Sequence, residues 1–134
     1  MKHKIMVVDD EEEVRETIRL QLKDTGYEII EAEDGEQAIE LVGHENVLVL
    51  DAIICDVRMP KINGVEAIAY FRKEYPSIPV IVLTGYPDVN LAVEFMKEGA
   101  FEYLVKPVEK EKLVEVVTKA AGEHSLFSGS KAQM

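Results

Sequence analysis

Ala52-Ile53-Ile54-Cys55-Asp56-Val57-Arg58-Met59-Pro60 is the stretch on which the fold of this chain turns. Four apolar residues, two of them β-branched, run straight into a carboxylate. A short continuous apolar run of this kind reads as a strand buried on both faces. Pro60 and Gly64 then punctuate a loop, and Val65 to Tyr75 has helical character up to Pro76. Upstream, Val47 to Leu50 is also apolar, and either extends a preceding helix or begins the strand.

The same unit recurs on both sides. Lys4 to Val8 is an apolar strand that stops at Asp9-Asp10. Glu11 to Thr25 carries Val14, Ile18 and Leu22 at four-residue spacing, one stripe of a helix, and Gly26 sits where a left-handed cap belongs. Tyr27 to Ala32 predicts a second strand and Glu36 to Gly43 a second helix. Val80 to Leu83 is a strand ending at Thr84-Gly85. Asp88 caps a helix that reaches Glu98 before Gly99. Glu102 to Val105 is the last strand, before Lys106-Pro107, and Glu109 to Ala121 the last helix. Five buried strands alternating with five helices predict an α/β domain, a parallel sheet covered on both faces.

Bulk properties narrow the class. At 134 residues the chain makes one domain, expected over 1–122, with 123–134 as a flexible tail or truncated linker. Lys and Arg number 15 against 26 Asp and Glu, a net charge of −11, so phosphate backbones would repel it and direct nucleic-acid binding is not expected. No apolar stretch approaches the roughly 20 residues that span a bilayer, and the first residues lack a signal-peptide pattern. With the single Cys55 no internal disulfide can form. The chain reads as a soluble, cytoplasmic protein without a membrane partner.

Four strands end on residues a buried sheet has no use for: Asp9-Asp10, Asp56, Thr84 and Lys106. In an open parallel sheet the C-terminal strand ends share one edge, where ligands bind. If these strands are neighbours, three carboxylates, a hydroxyl and an ammonium meet in one crevice. The carboxylates repel each other, and a hard divalent cation such as Mg²⁺ removes the conflict. One carboxylate can then act as a nucleophile on phosphorus, with Lys106 and Thr84 bearing the charge of the transferred group.

These residues resemble the receiver domains of two-component response regulators. The likeness covers about Lys2 to Ala121. It rests on Asp9-Asp10, on Asp56 through Pro60 with Gly64, on Thr84-Gly85, and on Tyr103 shortly before Lys106-Pro107. The stretch from Thr84 through Asp88 to Tyr103 looks most like receivers of regulators that activate transcription through an ATPase domain. The resemblance implies a doubly wound, flavodoxin-like sheet of strand order 2-1-3-4-5, an order for which a receiver is itself a standard example. Further, it implies Asp56 as phosphoacceptor, Lys106 and Thr84 as its helpers, and Mg²⁺ held by Asp10, Asp56, the backbone carbonyl of Arg58 and, through water, Asp9. A cis peptide before Pro107 and a Thr84–Tyr103 switch belong to the same pattern. Its partners are a sensor histidine kinase or phosphotransfer protein, and a downstream target or attached output domain.

Plainer readings stand beside these. Asp9 and Asp10 can cap the first helix, Tyr103 can simply pack, and Cys55 is best read as a small buried residue. His3, His44 and His124 show no metal-ligand spacing and are taken as surface residues. Between Gly35 and Asp56 the chain is longer than usual for the family, which predicts an extra turn on the second helix. Arg58 and Tyr86 are bulky neighbours expected to shield an acyl phosphate from water.

On the fourth helix Val89, Ala92, Val93 and Met96 are expected to pack, leaving Leu91 and Phe95 exposed. With a wide apolar arc from Val116 through Leu113 to Val114, they predict a partner surface on helix 4, strand 5 and helix 5, with a symmetric dimer among its forms. An aspartyl phosphatase would want an acid where Arg58 stands. A flavin protein would want a hydroxyl- and glycine-rich loop where Asp9 to Glu13 stand.

Overall fold

A computed structural model describes residues 3–57, 64–85 and 88–128. The strands are β1 (Lys4–Val8), β2 (Glu28–Ala32), β3 (Leu50–Asp56), β4 (Val80–Thr84) and β5 (Glu102–Val105). Between and after them run α1 (Glu12–Leu22), α2 (Gly35–Val42), α3 (Gly64–Glu74), α4 (Val89–Lys97) and α5 (Lys110–Ser128). All pairings are parallel and the sheet order is β2-β1-β3-β4-β5, the doubly wound arrangement predicted.

Side-chain alternation along the strands divides the core in two. Met6, Val8, Ile53, Cys55, Val80 and Val82 face α2, α3 and α4, where Ala38, Phe71 and Phe95 meet them. Ile5, Val7, Ala52, Ile54, Ile81, Leu83 and Leu104 face the other way, onto Ile18 and Leu22 of α1 and Leu113, Val117 and Ala120 of α5. β3 is buried along its whole length, as a central strand between two layers must be.

Local chemistry sets the helix ends. Asp34 accepts the Gln37 N–H at 2.8 Å while Gln37 Oε1 accepts the Glu33 N–H at 2.7 Å, a reciprocal cap on α2. Asp88 accepts from Asn90 and Leu91 at the start of α4, as expected. Gly99 follows that helix at φ 97°, where a Cβ would also meet the Arg72 guanidinium at 3.0 Å.

Five expectations are corrected. α1 ends at Leu22, and a 3₁₀ turn over Lys23–Thr25 completes the path to Gly26. The extra residues before Asp56 do not lengthen α2, which stops at Val42; they form the turns of residues 43–49, and β3 begins at Leu50. α4 is rotated relative to the predicted face. Phe95 is buried and its ring stacks on Tyr103 at 6.3 Å, whereas Val89, Val93 and Met96 are 80%, 47% and 46% exposed. Both faces are apolar, and the one carrying the aromatic ring buries more area. The α5 arc is covered, with Leu113 and Val116 buried.

The fifth correction is at the C-terminal end. α5 continues past Ala121 to Ser128, and His124 is a buried residue, not a surface one. Its Nδ1 lies 2.9 Å from Asp51 Oδ1, and His3 Nδ1 lies 2.9 Å from Asp51 Oδ2. Asp51 occupies an irregularity in β3, since Lys4 pairs with Leu50 but Ile5 with Ala52. An extra residue in one strand re-aims its side chain. Here it lets Asp51 meet α5 while Ala52 still packs on that side.

Candidate functional site

The C-terminal strand ends meet along one edge, as the order β1-β3-β4 requires. One step beyond the paired residues Val8 and Cys55 stand Asp9 and Asp56, and β5 pairs Val105 with Thr84 just before Lys106. Asp9 and Asp56 are 1% and 4% exposed; Asp10 is open to solvent. Carboxylate oxygens of all three lie within 4.8 Å of one another, the one such acidic group of three among the described residues.

Lys106 bridges the buried pair, its Nζ 2.7 Å from Asp9 Oδ2 and 3.3 Å from Asp56 Oδ2, with Glu11 at 3.9 Å. Burial works to lower the lysine's pKa. The hydrogen bond and charge of Asp9, then the charge of Asp56, outweigh it and hold the ammonium above its ordinary value. The Lys106–Pro107 peptide is cis. The capping reading of Asp9 and Asp10 is corrected: Glu11 is the N-cap of α1 and no side chain caps it, while Asp9 Oδ1 accepts the Glu11 N–H at 2.9 Å in a turn just before the helix.

Among the described residues, the ammonium of Lys106 is a cation in ion-pair reach of Asp9 and Asp56, and three carboxylates carry more charge than it does. Two of them are nearly removed from water, so a further cation is favoured there, and an all-oxygen set with one open side suits Mg²⁺. Asp9, Asp10 and Asp56 are the side chains that fit it. Arg58, whose carbonyl was expected to join them, lies outside the described residues, as does Tyr86.

Thr84 is buried at the end of β4, and its carbonyl accepts the Lys106 N–H at 2.7 Å. By alternation Thr84 belongs with Val80 and Val82 on the α2–α3–α4 side, whereas Asp56 and Lys106 follow Ile54 and Leu104 on the other. Tyr103 shares Thr84's side, stacked on Phe95, and its hydroxyl accepts the Asp88 N–H at 3.4 Å. Cys55 is wholly buried, and its thiol is pushed well above its ordinary pKa by burial first, then by the charges of Asp56 and Asp9.

Residues not singled out in the sequence also shape this edge. Arg15 of α1 donates from Nη1 to the Asp9 carbonyl at 2.5 Å and from Nε to Glu31 of β2 at 3.1 Å. Between α1 and the segment after β5 a groove of about 300 Å³ opens beside Lys106, floored by Val14, Ile18 and Leu83.

The sequence profile of the response regulator receiver domain matches residues 5–118. The chain belongs to this family. Its similarity to the Escherichia coli K12 transcriptional regulatory protein ZraR is 37% identity over 129 residues, covering 96% of this chain and 29% of that protein. With the response regulator protein FleR of Pseudomonas aeruginosa it shares 34% over 121 residues, 90% of this chain and 25% of the relative. This receiver domain thus spans under a third of the curated relatives it matches. Among solved structures, a receiver domain protein from Clostridium thermocellum aligns with a TM-score of 0.86 at 34% identity, over 93% of this chain and 98% of that one. Vibrio cholerae CheY4 aligns at 0.80 and 30%, over 90% of this chain and 99% of its own. Among the described residues, no helix is long and apolar enough to cross a membrane.

Proposed function

We propose that this receiver is a phosphorylation switch in which Asp56 accepts a phosphoryl group from a sensor histidine kinase, a phosphotransfer protein or a small phosphodonor. The observation that carries the reading is the bridging of Asp9 and Asp56 by the Lys106 ammonium within a cluster of three carboxylates. An Asp56 oxygen forms the new bond to phosphorus as the donor's bond breaks, and the donor leaves with the electron pair. Lys106 offsets charge on the transferred group and the Thr84 hydroxyl donates to it. Mg²⁺, when bound, would be held by Asp10, Asp56 and the Arg58 carbonyl, with Asp9 acting through water, and would supply charge neutralisation at the phosphoryl oxygens. Later attack by water on phosphorus restores the carboxylate. The domain promotes this cycle on itself alone and is not otherwise an enzyme.

The readout is a move of Thr84 toward the phosphate, with Tyr103 turning into the space it leaves. Because the Tyr103 hydroxyl touches the residue that caps α4, that turn bears directly on α4. Exposed Val89, Val93, Met96 and Val105 give the α4–β5–α5 face an apolar character that suits a protein target, an attached output domain or a second copy. The likeness to transcriptional regulators supports an activator of the ATPase-linked type, acting in the cytoplasm, with nucleic acid contacted by another part of that protein.

The test is intact-protein mass spectrometry after mixing with acetyl phosphate and Mg²⁺. The wild type should gain one phosphoryl group, and chelator or Asp56→Asn should abolish the gain. A gain in Asp56→Asn would name the wrong acceptor.

A further inference from the structure

The peptide joining the two N-terminal acids is held from outside the acidic cluster. Asp9 donates its N–H to the Ala32 carbonyl at 3.0 Å, and its own carbonyl accepts from Arg15 Nη1 at 2.5 Å. That carbonyl lies in the plane of the Asp9–Asp10 peptide, so whatever orients it also orients the start of Asp10. The guanidinium is itself fixed. Its Nε donates to one oxygen of Glu31 at 3.1 Å, and Arg19 Nη1 holds the other at 2.6 Å. Glu31 is anchored in turn by its place in β2 opposite Val7. The Arg15 side chain is 13% exposed, and its planar fork holds two separate acceptors, the Asp9 carbonyl and Glu31.

We propose that Arg15 is a positioning residue for cation binding, setting the Asp9–Asp10 peptide so that the exposed Asp10 carboxylate converges on Asp9 and Asp56. The inference rests on the acidic cluster being a Mg²⁺ site. Its sign is what makes it testable. By Coulomb's law alone a guanidinium this close to the cluster repels Mg²⁺, and its removal would tighten binding. Positioning demands the reverse, in the way that outer residues orient the direct ligands of other metal sites.

The experiment is calorimetric titration of the whole chain with Mg²⁺ alone, beside Arg15→Met, Arg15→Lys and Glu31→Gln, with circular dichroism to establish that each is folded. Arg15→Met, which loses both charge and donors, should weaken affinity about tenfold, the lower end of what such outer residues contribute. Arg15→Lys keeps the charge but loses the fork, and should weaken it nearly as much. Glu31→Gln leaves Arg15 intact but loosens its anchor, and should weaken affinity by a smaller factor even if Arg15→Met folds poorly. The amide resonance of Asp10 should shift in all three. Tighter binding in Arg15→Met with Arg15→Lys unchanged would mean that Arg15 acts through its field, and would overturn the proposal. Unchanged affinity in folded variants would reduce it to a structural contact. No Mg²⁺ uptake by the wild type would overturn the cation-site reading itself, and this inference with it.

Discussion

Asp51 and Asp56 sit near opposite ends of the same strand, both almost out of water, and their surroundings could hardly differ more. Asp51 has an imidazole nitrogen 2.9 Å from each carboxylate oxygen, one from His3 and one from His124. Asp56 shares one ammonium with Asp9 and stands in a crowd of like charge. A buried carboxylate matched by its neighbours fastens parts of a fold together, here α5 and the chain start to the base of β3. A buried carboxylate grouped with two other acids belongs to a set of oxygens that a cation can bridge. Burial of an acid, then, says little about its job until the partners are counted.

Exchanging each acid for its amide should separate the two ends most sharply. Asp56→Asn is expected to abolish phosphoryl uptake while leaving the urea midpoint equal or higher, since one of the crowded charges is gone. Asp51→Asn should take up phosphate normally but lose about 1–3 kcal/mol of stability as an imidazole loses its acceptor. Should Asp51→Asn also block uptake, the two ends are not independent. The next effect in size is at the histidines. His124→Ala leaves Asp51 short of a buried partner and should cost about 2 kcal/mol in urea denaturation. His3→Ala, at an exposed side chain, should stay within about 0.5 kcal/mol.

Mg²⁺ sharpens the contrast further. At ten times its dissociation constant it should add about 1.4 kcal/mol to wild-type stability. The same increment is expected in Asp51→Asn and a reduced one in Asp10→Asn. The smallest effect concerns pH. Because the folded state holds the Cys55 thiol protonated, the unfolded chain releases that proton first as pH rises past its ordinary value of about 8.5. Stability therefore declines above that pH, and Cys55→Ala should flatten the decline. Alkylating reagents should leave Cys55 unmodified at pH 8 until the chain is denatured.

The strands were legible because each is a short apolar run with a polar stop, and those same stops, Asp9, Asp56, Thr84 and Lys106, marked the edge where they meet. What sequence could not rank was surplus hydrophobicity. α4 offers two apolar faces, and only the pocket beside Tyr103 decides that Phe95 enters and Val89 does not. The Arg15–Glu31 grip was hidden because its members lie on different elements with no periodic relation. Asp51 did leave a trace, as a carboxylate inside the apolar stretch from Val47 to Cys55. An acid in such a place needs a partner, and looking for one would have led to His124 and to a longer α5.

The sheet also acts as a wall between two rooms. Acids and ammonium open into the one shared with α1 and α5, while Thr84 and Tyr103 stand in the other with α4. On the proposed switch Thr84, at the end of β4, is the residue through which the two rooms communicate. An engineer who re-tunes the second room, swapping the side chains that meet Phe95 or Tyr103, should therefore expect the first to change speed as well.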